Sequence, residues 1–182
     1  MQTNKGIYTI ILYVKQNSTI HTGSLGKIAY VRGCYAYTGS ARSKSGFSRI
    51  RRHINVAKGI NKTRHWHIDY LLPSATLKAI VTTNTEKDLE CQISNQIKTT
   101  TTSIKNFGST DCACTSHLQY HSNFHCLLKY TLDAYITHAD NIDLYLLKWK
   151  LCSSIANALD CLRTRLLTQS RVIFRTTKLC GW

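Results

Sequence analysis

Gly6-Ile7-Tyr8-Thr9-Ile10-Ile11-Leu12-Tyr13-Val14-Lys15 reads as a β-strand. Its β-branched and aromatic residues favour an extended chain. The run is apolar enough to be a central strand rather than an edge. It is too short to span a bilayer. Asn17-Ser18 reads as a turn. Residues 19–22 and 27–31 read as short strands joined by the loop Gly23-Ser24-Leu25-Gly26, a hairpin. Gly33-Cys34-Tyr35-Ala36-Tyr37-Thr38 reads as the next strand, ending at Gly39-Ser40. Alternation puts Tyr35 and Tyr37 on one face.

Beyond this point the period changes. Phe47, Ile50, Ile54 and Ala57 fall on one stripe and predict a helix over 46–58, with Gly59 as its stop. Arg49, Arg52 and His53 lie off that stripe, able to reach a ligand. Residues 65–72 are strand-like until Pro73 breaks them. On a strand, His65, His67 and Asp69 share a face. They then either contact phosphate or metal, or form a hydrogen-bonded polar face with Trp66 and Ile68 in the core. Residues 78–82 read as an edge or partner strand. Leu89, Ile93 and Ile97 mark a second helix over 86–97, with Glu90 at the border of its buried side. A polar connector with four threonines follows, then a compact segment over 107–120.

Residues 5–120 are the expected principal domain. The remainder, 121–182, reads as a C-terminal extension, either a helical appendage or unordered. Residues 144–155 and 158–167 fit amphipathic helices.

Lys and Arg number 24 against 9 Asp and Glu, a formal net charge of +15. Residues 1–120 hold 16 of the basic groups and 5 of the acidic ones. Such an excess favours a polyanionic partner; a solvated basic surface is the bland alternative. No secretory leader pattern is read, so the cytoplasm is the expected compartment. No membrane and no protein partner are expected. Eight cysteines, at 34, 91, 112, 114, 126, 152, 161 and 180, are then free thiols, buried small hydrophobes or metal ligands.

Phosphodiester chemistry needs a positioned water, a proton acceptor and stabilisation of new charge. Glu90 is the best hard-oxygen ligand for a divalent ion, although alone it also reads as a surface carboxylate pairing with Lys87. Arg49 can hold a phosphate oxygen with parallel N–H donors. Tyr8 and Tyr37 are either site phenols or sheet packing. His53, one turn after Arg49, can orient a tyrosine or water, or take a proton. Arg42, Lys44, Arg51, Arg52, Lys58 and Arg64 are the expected nucleic-acid contacts. Cys112-Ala113-Cys114 with His117 offers three soft ligands, and zinc usually wants four. Asp111, Cys34 or Cys91 would have to complete the set, and zinc is not expected.

Gly6-Ile7-Tyr8, Tyr37-Thr38-Gly39, Arg49, His53 and Glu90, in that order, resemble the GIY-YIG nuclease family. Tyr35-Ala36-Tyr37-Thr38-Gly39-Ser40-Ala41, Arg49-Ile50-Arg51-Arg52-His53, His65-Trp66-His67-Ile68-Asp69-Tyr70-Leu71 and the segment from Phe107 to Leu118 resemble its Uri-type (DUF123-like) branch. The likeness covers about residues 5–120. It implies a small α/β (α+β) fold with a mainly antiparallel three-stranded central sheet, flanking helices and an inserted hairpin. It implies an endonuclease acting on DNA, with RNA left open and a non-catalytic nucleic-acid-binding module as the rival. It also implies one Mg²⁺ or Mn²⁺ ion on Glu90, with Tyr8 as general base. Tyr37 would position water or phosphate, Arg49 would stabilise the transition state, and His53 would support the proton network. His65, His67, Asp111 and His117 are expected in supporting positions. Thr38 stands where Ile is common, and Arg49 follows Gly39 by slightly more than the usual gap.

Overall fold

The computed structural model describes residues 4–147. β1 (Gly6–Val14) is buried along nearly its whole length, as its unbroken apolar run requires. It pairs antiparallel with β4 (Gly33–Ser40) on one side and β5 (Ala75–Asn84) on the other. The short strands β6 (Thr102–Ser103), β7 (Leu118–His121) and β8 (Asp143–Leu146) extend this core. The result is a six-stranded sheet, ordered β6-β7-β4-β1-β5-β8, antiparallel throughout. The three-stranded sheet expected above is therefore its centre, and the sheet is twice as wide. Strands of two to four residues carry too little alternation to be seen in sequence.

β2 (Ser18–His21) and β3 (Lys27–Tyr30) form the separate hairpin, turned by a single 3-10 turn at Gly23–Leu25. Helices cover both faces of the sheet. Tyr8, Ile10, Leu12, Tyr35, Tyr37 and Ile80 point to the face that packs α1 (Ser48–Ala57) and α2 (His67–Leu71). Ile7, Ile11, Ala36, Ala79 and Val81 point to the other, covered by α3 (Glu90–Lys98) and α4 (Phe124–His138).

Three expectations need correction. Residues 67–71 are helical, not a strand. Asp69 sits at the third helical position, and its carboxylate accepts from the backbone N–H groups of His65 (2.8 Å) and Trp66 (3.0 Å). That capping satisfies donors a strand would need a partner for. The helix expected from residue 86 starts only at Glu90. Before it, the Thr85 hydroxyl accepts from the Lys87 N–H and holds a turn. Residues 143–146 are strand β8, not the start of a helix. The rest of the helix expected over 144–155, and all of that over 158–167, lies outside the described residues.

α4 and β8 belong to the same folded unit as the strands before residue 120. Asn123 caps α4 by accepting from the His125 and Cys126 N–H groups. Phe124, Leu127, Leu128, Leu132 and Tyr135 then enter the core beneath β1. Among the described residues no helix is long and apolar enough to cross a membrane.

Candidate functional site

Tyr8 leaves β1 beneath β4, where the lack of a side chain at Gly39 makes room for it. A Cβ there would lie 2.6 Å from both the Tyr8 Cζ and hydroxyl oxygen. The hydroxyl meets His53 Nε2 of α1 at 2.9 Å. His53 Nδ1 lies 3.1 Å from the Asp69 Oδ1 of α2. All three side chains are buried. The Arg52 Nη1 donates to both Asp69 oxygens, at 2.9 and 2.8 Å.

Charge states follow from these partners. Burial opposes ionisation of Asp69, but hydrogen bonds from His53, the two backbone N–H groups and Arg52 hold it well below the usual carboxylate range. Burial lowers the affinity of His53 for a second proton, against the pull of Asp69. His53 is thus a neutral imidazole whose Nδ1–H donates to an anionic Asp69. Its Nε2 accepts from the Tyr8 hydroxyl. Burial pushes the Tyr8 phenol well above its ordinary value. The neighbouring Tyr37 and the Glu90 and Asp69 carboxylates add to this, while Arg49 opposes it. Burial raises Tyr37 in the same way, with Glu90 adding and Arg49 opposing. The two phenols therefore sit between the field of the Arg49 cation and those of the Glu90 and Asp69 carboxylates. Their rings are 6.4 Å apart.

Arg49 is fixed from two sides. Its Nη1 donates to the Ser40 carbonyl at 2.7 Å, and its guanidinium lies 4.7 Å from the Trp66 ring centroid. Among the described residues, its Nε is buried with no hydrogen-bond partner. Such a donor is costly unless a ligand takes it. Glu90 opens α3 and keeps a side-chain exposure of 22 %. One of its oxygens lies 3.0 Å from His117 Nδ1. Among the described residues Nδ1 makes no aligned hydrogen bond, Glu90 included. The approach is an electrostatic contact.

Of the sequence-derived set, Tyr8, Tyr37, Arg49 and His53 meet around the Gly39 end of β4, and the Glu90 carboxylate lies near enough for its charge to act on both phenols. The other expected residues divide. His117 reaches Glu90. His65 is exposed, its ring edge against Trp66 at 4.4 Å. His67 accepts from the Gly108 N–H (3.2 Å) and contacts the Ser24 hydroxyl (3.2 Å), tying α2 to the neighbouring loops. Asp111 is exposed. Arg42 pairs with Asp88 at 2.6 Å, and Arg52 with Asp69. Arg64 donates to the Asn61 carbonyl. Lys44, Arg51 and Lys58 are exposed.

Two contributors take places the sequence does not give them. Asp69 is hidden by the strand reading of 65–72. On a helix whose N-terminus it caps, it faces α1 instead. Trp66 lies against Arg49 and Arg52, 4.5 Å from the latter. A second cluster lies beside Glu90. Cys91 on α3, with Cys112, Cys114 and His117 from the 107–117 loop, brings four ligand atoms within 4.8 Å of one another. Cys34 is buried in the core, in a separate place.

The sequence family described as Domain of unknown function DUF123 matches residues 7–139. No curated protein and no solved structure matches the chain.

Proposed function

The chain belongs to the DUF123 family, and from that premise we propose that it is a divalent-metal-dependent endonuclease that hydrolyses phosphodiester bonds in DNA. The observation behind this reading is the buried Tyr8–His53–Asp69 chain, set beside an Arg49 with an unpartnered donor and a Glu90 at an accessible helix start.

The donor set fits one hard cation. Glu90 offers a carboxylate, and Mg²⁺ or Mn²⁺ accepts a single protein oxygen when water and phosphate complete its shell. Bound there, the ion would lower the pKa of a coordinated water and neutralise charge on phosphate. The rest falls to the chain. Asp69 fixes the His53 tautomer, so Nε2 stands ready for the Tyr8 proton. As a water attacks phosphorus, its proton passes to the Tyr8 oxygen while the Tyr8 proton passes to His53 Nε2. The imidazolium so formed faces anionic Asp69, the same electrostatic logic as an orienting carboxylate behind a catalytic histidine. Arg49 Nε donates to a non-bridging phosphate oxygen. Tyr37 borders the same space.

The test is nicking of supercoiled plasmid with Mg²⁺ or Mn²⁺. Tyr8→Phe should lower the rate by about 10²–10⁴, the range for a lost general base. Arg49→Ala should cost about 10²–10³ as a lost oxyanion donor. Glu90→Ala should abolish turnover. DNA binding with no metal-dependent cutting by wild type would leave a non-catalytic binding module instead. Equal cutting by wild type and Glu90→Ala would reject the assignment of that carboxylate.

A further inference from the structure

The soft-ligand cluster beside Glu90 has the composition and spacing of a closed metal centre. The Sγ of Cys112 lies 3.4 Å, and that of Cys91 3.8 Å, from His117 Nε2. In a tetrahedral zinc site with Zn–S of about 2.3 Å and Zn–N of about 2.0 Å, sulfur and nitrogen are about 3.6 Å apart. All four ligand atoms fall within 4.8 Å of one another without any disulfide among them. The scaffold is built from both sides. Ser94, one turn after Cys91 on α3, donates to the Ser116 carbonyl at 2.9 Å. The Thr38 N–H of β4 donates to the His117 carbonyl at 3.0 Å. Asn95 Nδ2 approaches the Cys114 sulfur at 3.9 Å, the kind of outer contact that orients a thiolate ligand.

We propose that Cys91, Cys112, Cys114 and His117 bind one Zn²⁺, and that His117, ligating through Nε2, presents its Nδ1–H to Glu90 and so positions that carboxylate. Zinc enters as the three thiols give up their protons, leaving three thiolates and a neutral imidazole around the ion. Ligation at Nε2 places the imidazole proton on Nδ1, so the ring edge 3.0 Å from Glu90 Oε1 carries an N–H and attracts the carboxylate electrostatically. With four protein ligands the centre has no open position, so its role is to shape and not to react. It joins α3 to the 107–117 loop at the point where both meet the Tyr37 strand.

Zinc binding here is independent of nuclease activity. A chain that holds zinc but cuts no DNA would keep this centre and lose the function proposed above.

The first measurement is metal content of the full chain after zinc reconstitution and desalting. About one zinc per chain is expected, falling to near zero in Cys112→Ser. Cobalt titration of the wild type avoids any doubt about a misfolded variant. Thiolate-to-cobalt charge-transfer bands and the intense visible absorption of a tetrahedral ion should saturate at about one equivalent. Absence of both the zinc and these bands overturns the site. The second measurement addresses Glu90. His117→Cys should retain about one zinc as a four-cysteine centre. The Glu90 side-chain carboxyl carbon resonance, assigned by its loss in Glu90→Gln, should shift between wild type and His117→Cys, both zinc-loaded. An unchanged resonance overturns the positioning role.

Discussion

The Tyr8 phenol occupies space that any side chain at residue 39 would take. Ala at that position puts a methyl 2.6 Å from the hydroxyl oxygen, and the backbone of β4 cannot yield without breaking its pairing to β1. Gly39→Ala should therefore destabilise the fold by about 1–3 kcal/mol, the usual penalty of overpacking, measured by urea unfolding. It should also move the phenol from His53 and suppress nicking more than the stability loss explains. The same buried chain makes stability depend on pH. The folded-state pKa of His53 is lowered, so below the unfolded value of about 6.5 the unfolded chain takes up a proton that the folded one resists. Stability then falls as pH drops. Asp69 acts in the same direction lower down. Its folded value is depressed, so its contribution is complete above about pH 4 and is lost as pH falls toward the folded value. Urea midpoints should decline between about pH 7.5 and about pH 5, and the decline should be shallower in His53→Gln. An unchanged slope in that variant would mean His53 is not the neutral acceptor described here.

Among the elements, α4 shows how far the sequence can be read. Phe124, Leu127, Leu128, Thr131, Leu132 and Tyr135 recur at three- and four-residue spacing, and Asn123 precedes them as a cap. Both signals are present in the chain, yet the thiol, imidazole and hydroxyl groups interleaved with them blur the apolar stripe. β1, β4, the β2–β3 hairpin and α1 are legible because each has a period or a turn of its own. α2 is not, because its five residues alternate like a strand and only the capping by Asp69 turns them into a helix. The site followed the same division. Tyr8, Arg49, His53 and Glu90 lie on legible elements. Asp69 and Cys91 depend on which faces come together, and that is tertiary information. Thr38 shows the same limit at a single buried position. Its hydroxyl contacts Thr9 at 3.0 Å, and Thr9 contacts the Tyr135 hydroxyl of α4 at 3.1 Å, so a polar residue in the central strand is satisfied by an element after residue 120. Residues 5–120 alone should accordingly fail to fold cooperatively, giving no sharp urea transition and binding a dye that reports exposed apolar surface. In the full chain, Leu132→Ala should cost about 2–5 kcal/mol, as for any buried leucine. A cooperative transition for the truncated chain would show that α4 is an appendage after all.

Over the whole molecule, charge and chemistry separate in a way that one experiment can read. The first 120 residues hold 16 basic side chains and 5 acidic ones, and two of those acids, Asp69 and Asp88, are spent on Arg52 and Arg42. Lys44, Arg51 and Lys58 are exposed around α1, the helix that also presents Arg49 and His53 to the site. A phosphate backbone lying along α1 would release one condensed counterion for each phosphate neutralised. The logarithm of the binding constant then falls linearly with the logarithm of salt, by about 0.9 per contact on duplex DNA. Replacing Lys44 and Lys58 with alanine should reduce the magnitude of that slope by about 2 and weaken binding alike for unrelated sequences. With binding measured in the absence of divalent ions, Glu90→Gln removes a like charge from beside the phosphate and no cationic side chain. It should bind at least as tightly with nearly the same slope, while cutting nothing. Fluorescence anisotropy across a salt series, run beside the plasmid assay, measures both. If the slope is the same in the lysine double variant as in wild type, the DNA does not follow α1. The basic groups near the site would then be a solvated surface, and the strand would have to enter from another side.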